Sequence, residues 1–120
     1  MRSTFALWLA LALAAPAAQD AVERLFREGR DLFEVHDDSG EAEREAELRF
    51  RRALALNPRH AASIVYLGMI AAGRRQLGAA EDSYRRALEL DPNCAEARVG
   101  LAYLRIRANR FVLARATAQA

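Results

Sequence analysis

The residues best able to do chemistry in this 120-residue chain are His36, His60 and Cys94. Histidine can act as a base or metal ligand near neutral pH, and a cysteine thiolate as a nucleophile or ligand. Each needs partners at set spacings, and the sequence offers none: no Cys/His set has the spacing of a metal site. Both histidines therefore read as solvated. Cys94 follows Pro92-Asn93, where a tight connection suits a small residue. A lone cysteine makes no internal disulfide, so it is either a structural filler or a partner for an intermolecular one. "DDSGE" at 37–41 combines acids with a glycine but lacks the alternating acids and distal Glu of a calcium loop, and reads as a turn. No phosphate loop, nucleophile elbow or Ser/His/Asp arrangement is present. The residues imply no metal, no cofactor and no enzyme activity.

Charge is the next source of specificity. Net charge is +2, and all 18 basic residues are arginine. The balance is uneven: residues 20–47 carry 11 acids and 4 Arg (−7), residues 48–120 carry 13 Arg and 5 acids (+8), and Arg2 completes the sum. After Glu96 there is no acid, but there are Arg98, Arg105, Arg107, Arg110 and Arg115. The plain reading is two solvated surfaces of opposite sign. The sharper one is a polar molecule that docks head to tail or onto an anionic partner. The pairs Arg51-Arg52 and Arg85-Arg86 either form a basic ladder or are solvated. No aromatic residues interleave with them as nucleic-acid binding would require, so nucleic acid is not an expected partner.

The elements that position these residues come from an internal repeat. "FRRALALNP" at 50–58 returns as "YRRALELDP" at 84–92, a shift of 34. Ala80, Tyr84, Ala87 and Leu88 fall at i, i+4, i+7 and i+8, one stripe of a helix, and Ala46, Phe50, Ala53 and Leu54 repeat it. Small residues alternate with large ones, which suits close helix-on-helix packing. Asn57-Pro58 and Asp91-Pro92 mark the breaks, with Pro expected in the first turn of the next helix and Asn or Asp capping it. Six helices are predicted, at about 20–36, 41–56, 58–75, 78–90, 92–107 and 110–118, and no strand. Short links make neighbouring helices antiparallel, giving three hairpins.

The opening "MRSTFALWLALALAAPAAQD" has a different character. Arg2 gives a short positive start, Phe5 to Ala15 is uncharged and mostly apolar, and Ala15-Pro16-Ala17 supplies small residues for a signal peptidase. Residues 1–18 are read as a signal peptide, cleaved after Ala17 or Ala18, with the folded domain at 20–120. The apolar run is shorter than the about 20 residues a spanning helix needs, so no stable membrane span is expected after cleavage. The protein is expected to be exported, periplasmic or secreted.

With its 34-residue period, the domain resembles the tetratricopeptide repeats. The second repeat carries Leu67-Gly68, Ala80, Tyr84, Ala87 and Pro92, departing at Ile64 and Ala71, where the family prefers aromatics. The first carries Leu25, Gly29, Leu32, Ala46, Phe50, Ala53 and Pro58, with Glu28 in place of Leu and five extra residues around "HDDSGEAER" that should form a longer turn. The third is weaker: Leu101, Phe111, Ala114 and Ala118 fit, while Arg98, Ala102 and Arg105 do not. The resemblance implies an all-α fold, tandem antiparallel hairpins stacked as a short right-handed α-solenoid, with repeats at about 20–58, 59–92 and 93–120.

It also implies a binding role. In the family the first helix of each hairpin lines a concave groove. The corresponding positions are Phe26, Arg30 and Phe33, then Ala62, Val65, Met69 and Ala72, then Val99, Tyr103 and Ile106, with Glu96 beside them. The groove is mostly apolar and lacks the Lys and Asn set with which some relatives hold a terminal carboxylate. It suits an amphipathic helix or an extended apolar peptide. The expectation is a non-catalytic protein- or peptide-binding scaffold. The alternatives are a structural or oligomerising element of an envelope assembly, self-associating through the C-terminal hairpin, and an enzyme accessory whose basic end docks an anionic partner.

Overall fold

The computed structural model describes residues 2–119, and side chains for residues 16–118. The described residues form five helices and no strand: α1 (Arg2–Phe33), α2 (Glu41–Leu56), α3 (Ala61–Gly73), α4 (Leu77–Leu90) and α5 (Ala95–Gln119). They divide into two compact units, Met1–Ser63 and Ile64–Ala120.

In the first unit, α1 and α2 form an antiparallel hairpin, since residue 28 pairs with 49, 26 meets 50 and 23 reaches 60. Val22, Ala46, Phe50 and Ala53 are buried between them. Phe50 lies against Gly29 so closely that a Cβ there would come within 2.7 Å of its ring. The longer turn foreseen between these helices is residues 34–40, and it is a capping device. The Asp37 carboxylate accepts the N–H groups of Gly40 (2.7 Å) and Ala42 (2.8 Å) and the Ser39 hydroxyl (3.2 Å). It thereby satisfies donors at the start of α2 that the helix itself leaves free. Gly40 takes φ +70°, a left-handed conformation that glycine adopts without penalty. The hydrogen bond from Ala42, with those from Gly40 and Ser39 and the charge of Arg44, holds the Asp37 pKa below its ordinary 3.8.

The backbone of α1 reaches back to Arg2, past the helix start expected at Asp20, with Pro16 inside it. The side chains of residues 1–15, most of the segment read as a signal peptide, lie outside the described residues. Among the described residues no helix is long and apolar enough to cross a membrane.

In the second unit, the Tyr84 ring of α4 sits between Gly68 of α3 and Gly100 of α5. A Cβ at Gly68 would approach it to 2.9 Å and one at Gly100 to 2.5 Å. Ile64, Val65, Ile70, Ala80, Ala87, Ala97 and Leu104 are buried with it.

The repeated phrase folds the same way twice. The N–H groups of Asn57 and Asp91 close the preceding helices on the carbonyls of Ala53 (2.9 Å) and Ala87 (2.8 Å), at nearly identical backbone angles. Their side-chain oxygens then accept the N–H two residues on, from Arg59 (3.0 Å) and Asn93 (3.1 Å), as in an Asx turn. This corrects the expected helix starts. Pro58 and Pro92 stand in the turn, and α3 and α5 begin only at Ala61 and Ala95, because the Asn and Asp oxygens are spent on the turn. A second correction concerns the third hairpin: α5 runs through Asn109 without the break predicted there. Asn109 has neither a proline nor a glycine beside it to stop the helix.

Two measurements test this packing. Gly100→Ala should lower thermal and urea stability by about 1–3 kcal/mol through overpacking against Tyr84. Gly78→Ala, which meets open space, should be neutral or stabilise by up to about 1 kcal/mol through helix propensity. Asp37→Ala should lower stability at neutral pH. Because the wild-type carboxylate pKa is depressed, its contribution is present above the ordinary carboxylate pKa and lost as pH falls through the folded value. The gap between wild type and Asp37→Ala should therefore close below about pH 4.

Candidate functional site

His60 occupies the position before α3, and the structure corrects its reading as a solvated residue. Its Nδ1 accepts the Ser63 hydroxyl (2.8 Å) and the Ser63 backbone N–H (3.3 Å), so Nε2 carries the proton and donates to Glu23 Oε1 (3.2 Å). The ring also meets Phe26 edge-on, centroids 5.2 Å apart. Serine, histidine and glutamate in a row could be read as nucleophile, base and orienting acid. Burial decides against it: Ser63 is 0 % exposed, so no substrate reaches its hydroxyl. The imidazole is a helix cap, doing for the N–H of Ser63 what an Asn or Ser side chain does elsewhere. Cys94, 34 residues later, holds the same place before α5 and is also buried, as a filler would be. His36 is exposed in the α1–α2 link.

The expected binding residues of the first unit are mostly engaged in its own packing. Phe26 packs on Phe50 (6.0 Å between centroids) and His60. Arg30 pairs with Asp31 at 3.6 Å, and Phe33 and Ala62 are half-buried. An open hollow of about 660 Å³ is lined by residues 18–20, Val22, Glu23, Leu56, Asn57 and His60, and includes none of them.

The second unit brings three of the expected residues together. Met69 and Ala72 of α3 and Tyr103 of α5 line a cleft of about 450 Å³. Val65 is a correction: at 2 % exposure it belongs to the core and presents nothing to a partner. Val99 and Ile106 are exposed on α5, at 69 % and 53 %, but outside the cleft. Glu96 is exposed near the start of α5.

Four further residues line the cleft: Gly73, Arg75, Tyr84 and Arg107. Arg75 follows α3 in a Schellman-type ending, where Gln76 N–H reaches Ala71 O (2.9 Å) and Arg75 itself takes φ +62°. The Arg107 guanidinium lies over the Tyr103 ring, 5.7 Å from its centroid. Burial pushes the Tyr84 phenol pKa up, so it stays a neutral hydroxyl. Two of them escape a sequence reading based on first-helix positions, because Arg75 is in a turn and Tyr84 is on a second helix. The paired arginines are quieter than a ladder: Arg51 and Arg85 are bound to Glu47 (2.7 Å) and Glu81 (2.6 Å) one turn earlier. Among the described residues no group of His, Cys, Asp and Glu is placed to hold a metal ion.

His60→Leu should cost about 1–3 kcal/mol in urea denaturation, because it leaves the Ser63 hydroxyl and N–H buried without an acceptor. Glu23→Gln, which alters the exposed end of that contact, should change stability by under about 1 kcal/mol.

Two family profiles, each described as tetratricopeptide repeat, match the chain, one over residues 31–93 and one over 69–120. No curated protein and no solved structure shows significant similarity to it.

Proposed function

This chain belongs to the tetratricopeptide repeat family, whose repeats generally mediate protein–protein interaction; from that premise we propose that it is a non-catalytic scaffold which binds a peptide or protein segment in the cleft of its second unit. The observation that carries this reading is the cleft itself: Met69, Ala72 and Tyr103 meet there around a cavity of about 450 Å³. Tyr103 is 52 % exposed although aromatic, and rigid exposed aromatics are favoured anchors at interfaces. An extended apolar segment or one face of a helix is the matching ligand.

The compartment is proposed from residues 1–18: a short basic start, an apolar run and Ala15-Pro16-Ala17 support export to a periplasm or the exterior, with cleavage after Ala17 or Ala18.

A second reading, an oligomerising or structural element, is favoured by one feature of α5. Phe111, Val112 and Leu113 are all about two-thirds exposed, a run of large apolar side chains at the end of the helix. Sedimentation at high concentration separates the two readings, because a folded monomer leaves only the first. For the cleft, Met69→Glu combined with Tyr103→Glu should abolish capture of peptides selected from a random library while leaving helical circular dichroism unchanged. Capture that survives the double variant sinks the assignment.

A further inference from the structure

We propose that the second unit's cleft selects segments in which an acidic side chain stands beside an apolar one, with the carboxylate taken by Arg75 and Arg107 and the apolar side chain by Met69, Ala72 and Tyr103. The inference rests on the peptide-binding reading above and names the chemistry of its partner.

The lining is the first support. It holds two guanidinium groups, two phenols and an apolar floor, with no carboxylate among its residues. An apolar ligand alone would leave both cations facing a half-shielded cleft without a counter-charge. A carboxylate fits a guanidinium fork in both charge and geometry.

The second support is that neither cleft arginine is taken up by a carboxylate among the described residues, as four other arginines are. Arg30, Arg49, Arg51 and Arg85 each bind a carboxylate of the chain. No ion pair forms at Arg75 or Arg107 among the described residues. Arg107 is instead held over the Tyr103 ring, which fixes its direction while leaving its N–H donors unpaired.

The third support is backbone strain. Arg75 is the non-glycine residue of positive φ among those described. An L-residue in that left-handed conformation costs roughly 1–2 kcal/mol, which glycine would avoid. The conformation belongs to the ending of α3, and we read the choice of Arg over Gly there, in a residue that lines the cleft, as a use for its side chain.

The charge of the second unit agrees: residues 64–120 carry 9 Arg and 5 acids (+4), and no acid follows Glu96. The carboxylate is that of a side chain and not of a chain terminus, because the cleft is lined by no Asn, Gln, Ser or Thr to hold the final peptide unit.

The test begins with random peptides displayed with their C-termini fused to a carrier, so that none presents a free terminal carboxylate. Binders should be enriched in Asp or Glu next to an apolar residue. A selected peptide, acetylated and amidated, is then titrated by NMR against wild type, Arg75→Gln, Arg107→Gln and Arg86→Gln. Changing the peptide's acid to its amide should weaken wild-type binding about tenfold or more. Arg75→Gln and Arg107→Gln should weaken binding of the acidic peptide by a similar factor and leave the amide peptide unaffected. Arg86→Gln, on an exposed face, should change neither. Equal binding of acid and amide peptides by wild type overturns the carboxylate inference and leaves the peptide-binding reading standing. Binding confined to peptides with a free C-terminus overturns the assignment to a side chain. Enrichment of no peptide at all sinks both readings together.

Discussion

An aromatic ring laid against a glycine holds each unit of this protein together. Phe50 of α2 rests on Gly29 of α1, and Tyr84 of α4 fits between Gly68 and Gly100. Glycine has no Cβ, so it lets a ring enter where any side chain would collide. Once the ring is in, the alanines on the same stripe come into contact: Ala46 and Ala53 around Phe50, Ala80 and Ala87 around Tyr84, all fully buried. Dispersion and apolar burial then accumulate over a narrow, dense seam. Helix spacing, hairpin register and the placement of α5 over α4 all follow from those ring-on-glycine contacts.

The turns finish what the seams begin. Each seam-bearing helix ends on an Asn or Asp whose side chain closes the next turn, and each following helix is preceded by a residue shielded from solvent, the half-buried His60 or the buried Cys94. At His60 the imidazole both caps α3 and reaches Glu23, tying the start of α3 to α1. At the α1–α2 link the same duty falls to Asp37. Such polar groups are neither numerous nor reactive. They satisfy backbone donors that would otherwise be left open as the chain reverses.

The tyrosine that joins three helices of the second unit also lines the cleft between them. The cleft is therefore built on the most constrained part of the unit, as binding sites need to be. Its functional elements come from four places in the chain: α3, the turn after it, α4 and α5. Fold and proposed function share residues here, since the aromatic packed against α3 and α5 is also part of the cleft's lining beside Arg75 and Arg107.

By itself the sequence determined the period of 34, the helical class, the bounds of α2, the role of Phe50 and Tyr84 as packed aromatics, and the family. Those features are local or periodic: stripe spacing, helix propensity and the Asn-Pro and Asp-Pro breaks act within a few residues. The tertiary structure decided the rest. It put Val65 in the core and Met69 in the cleft, although both lie on one helix with similar side chains, because burial depends on what packs opposite. It bound the His60 cap to Glu23, a contact across 37 residues that forms only when α1 lies beside the residue preceding α3. It carried α5 through Asn109, where a weak repeat pattern had suggested a break. And it gathered Arg75, Tyr84 and Arg107 around one cavity, a juxtaposition that depends on two chain reversals and that no spacing within the sequence encodes.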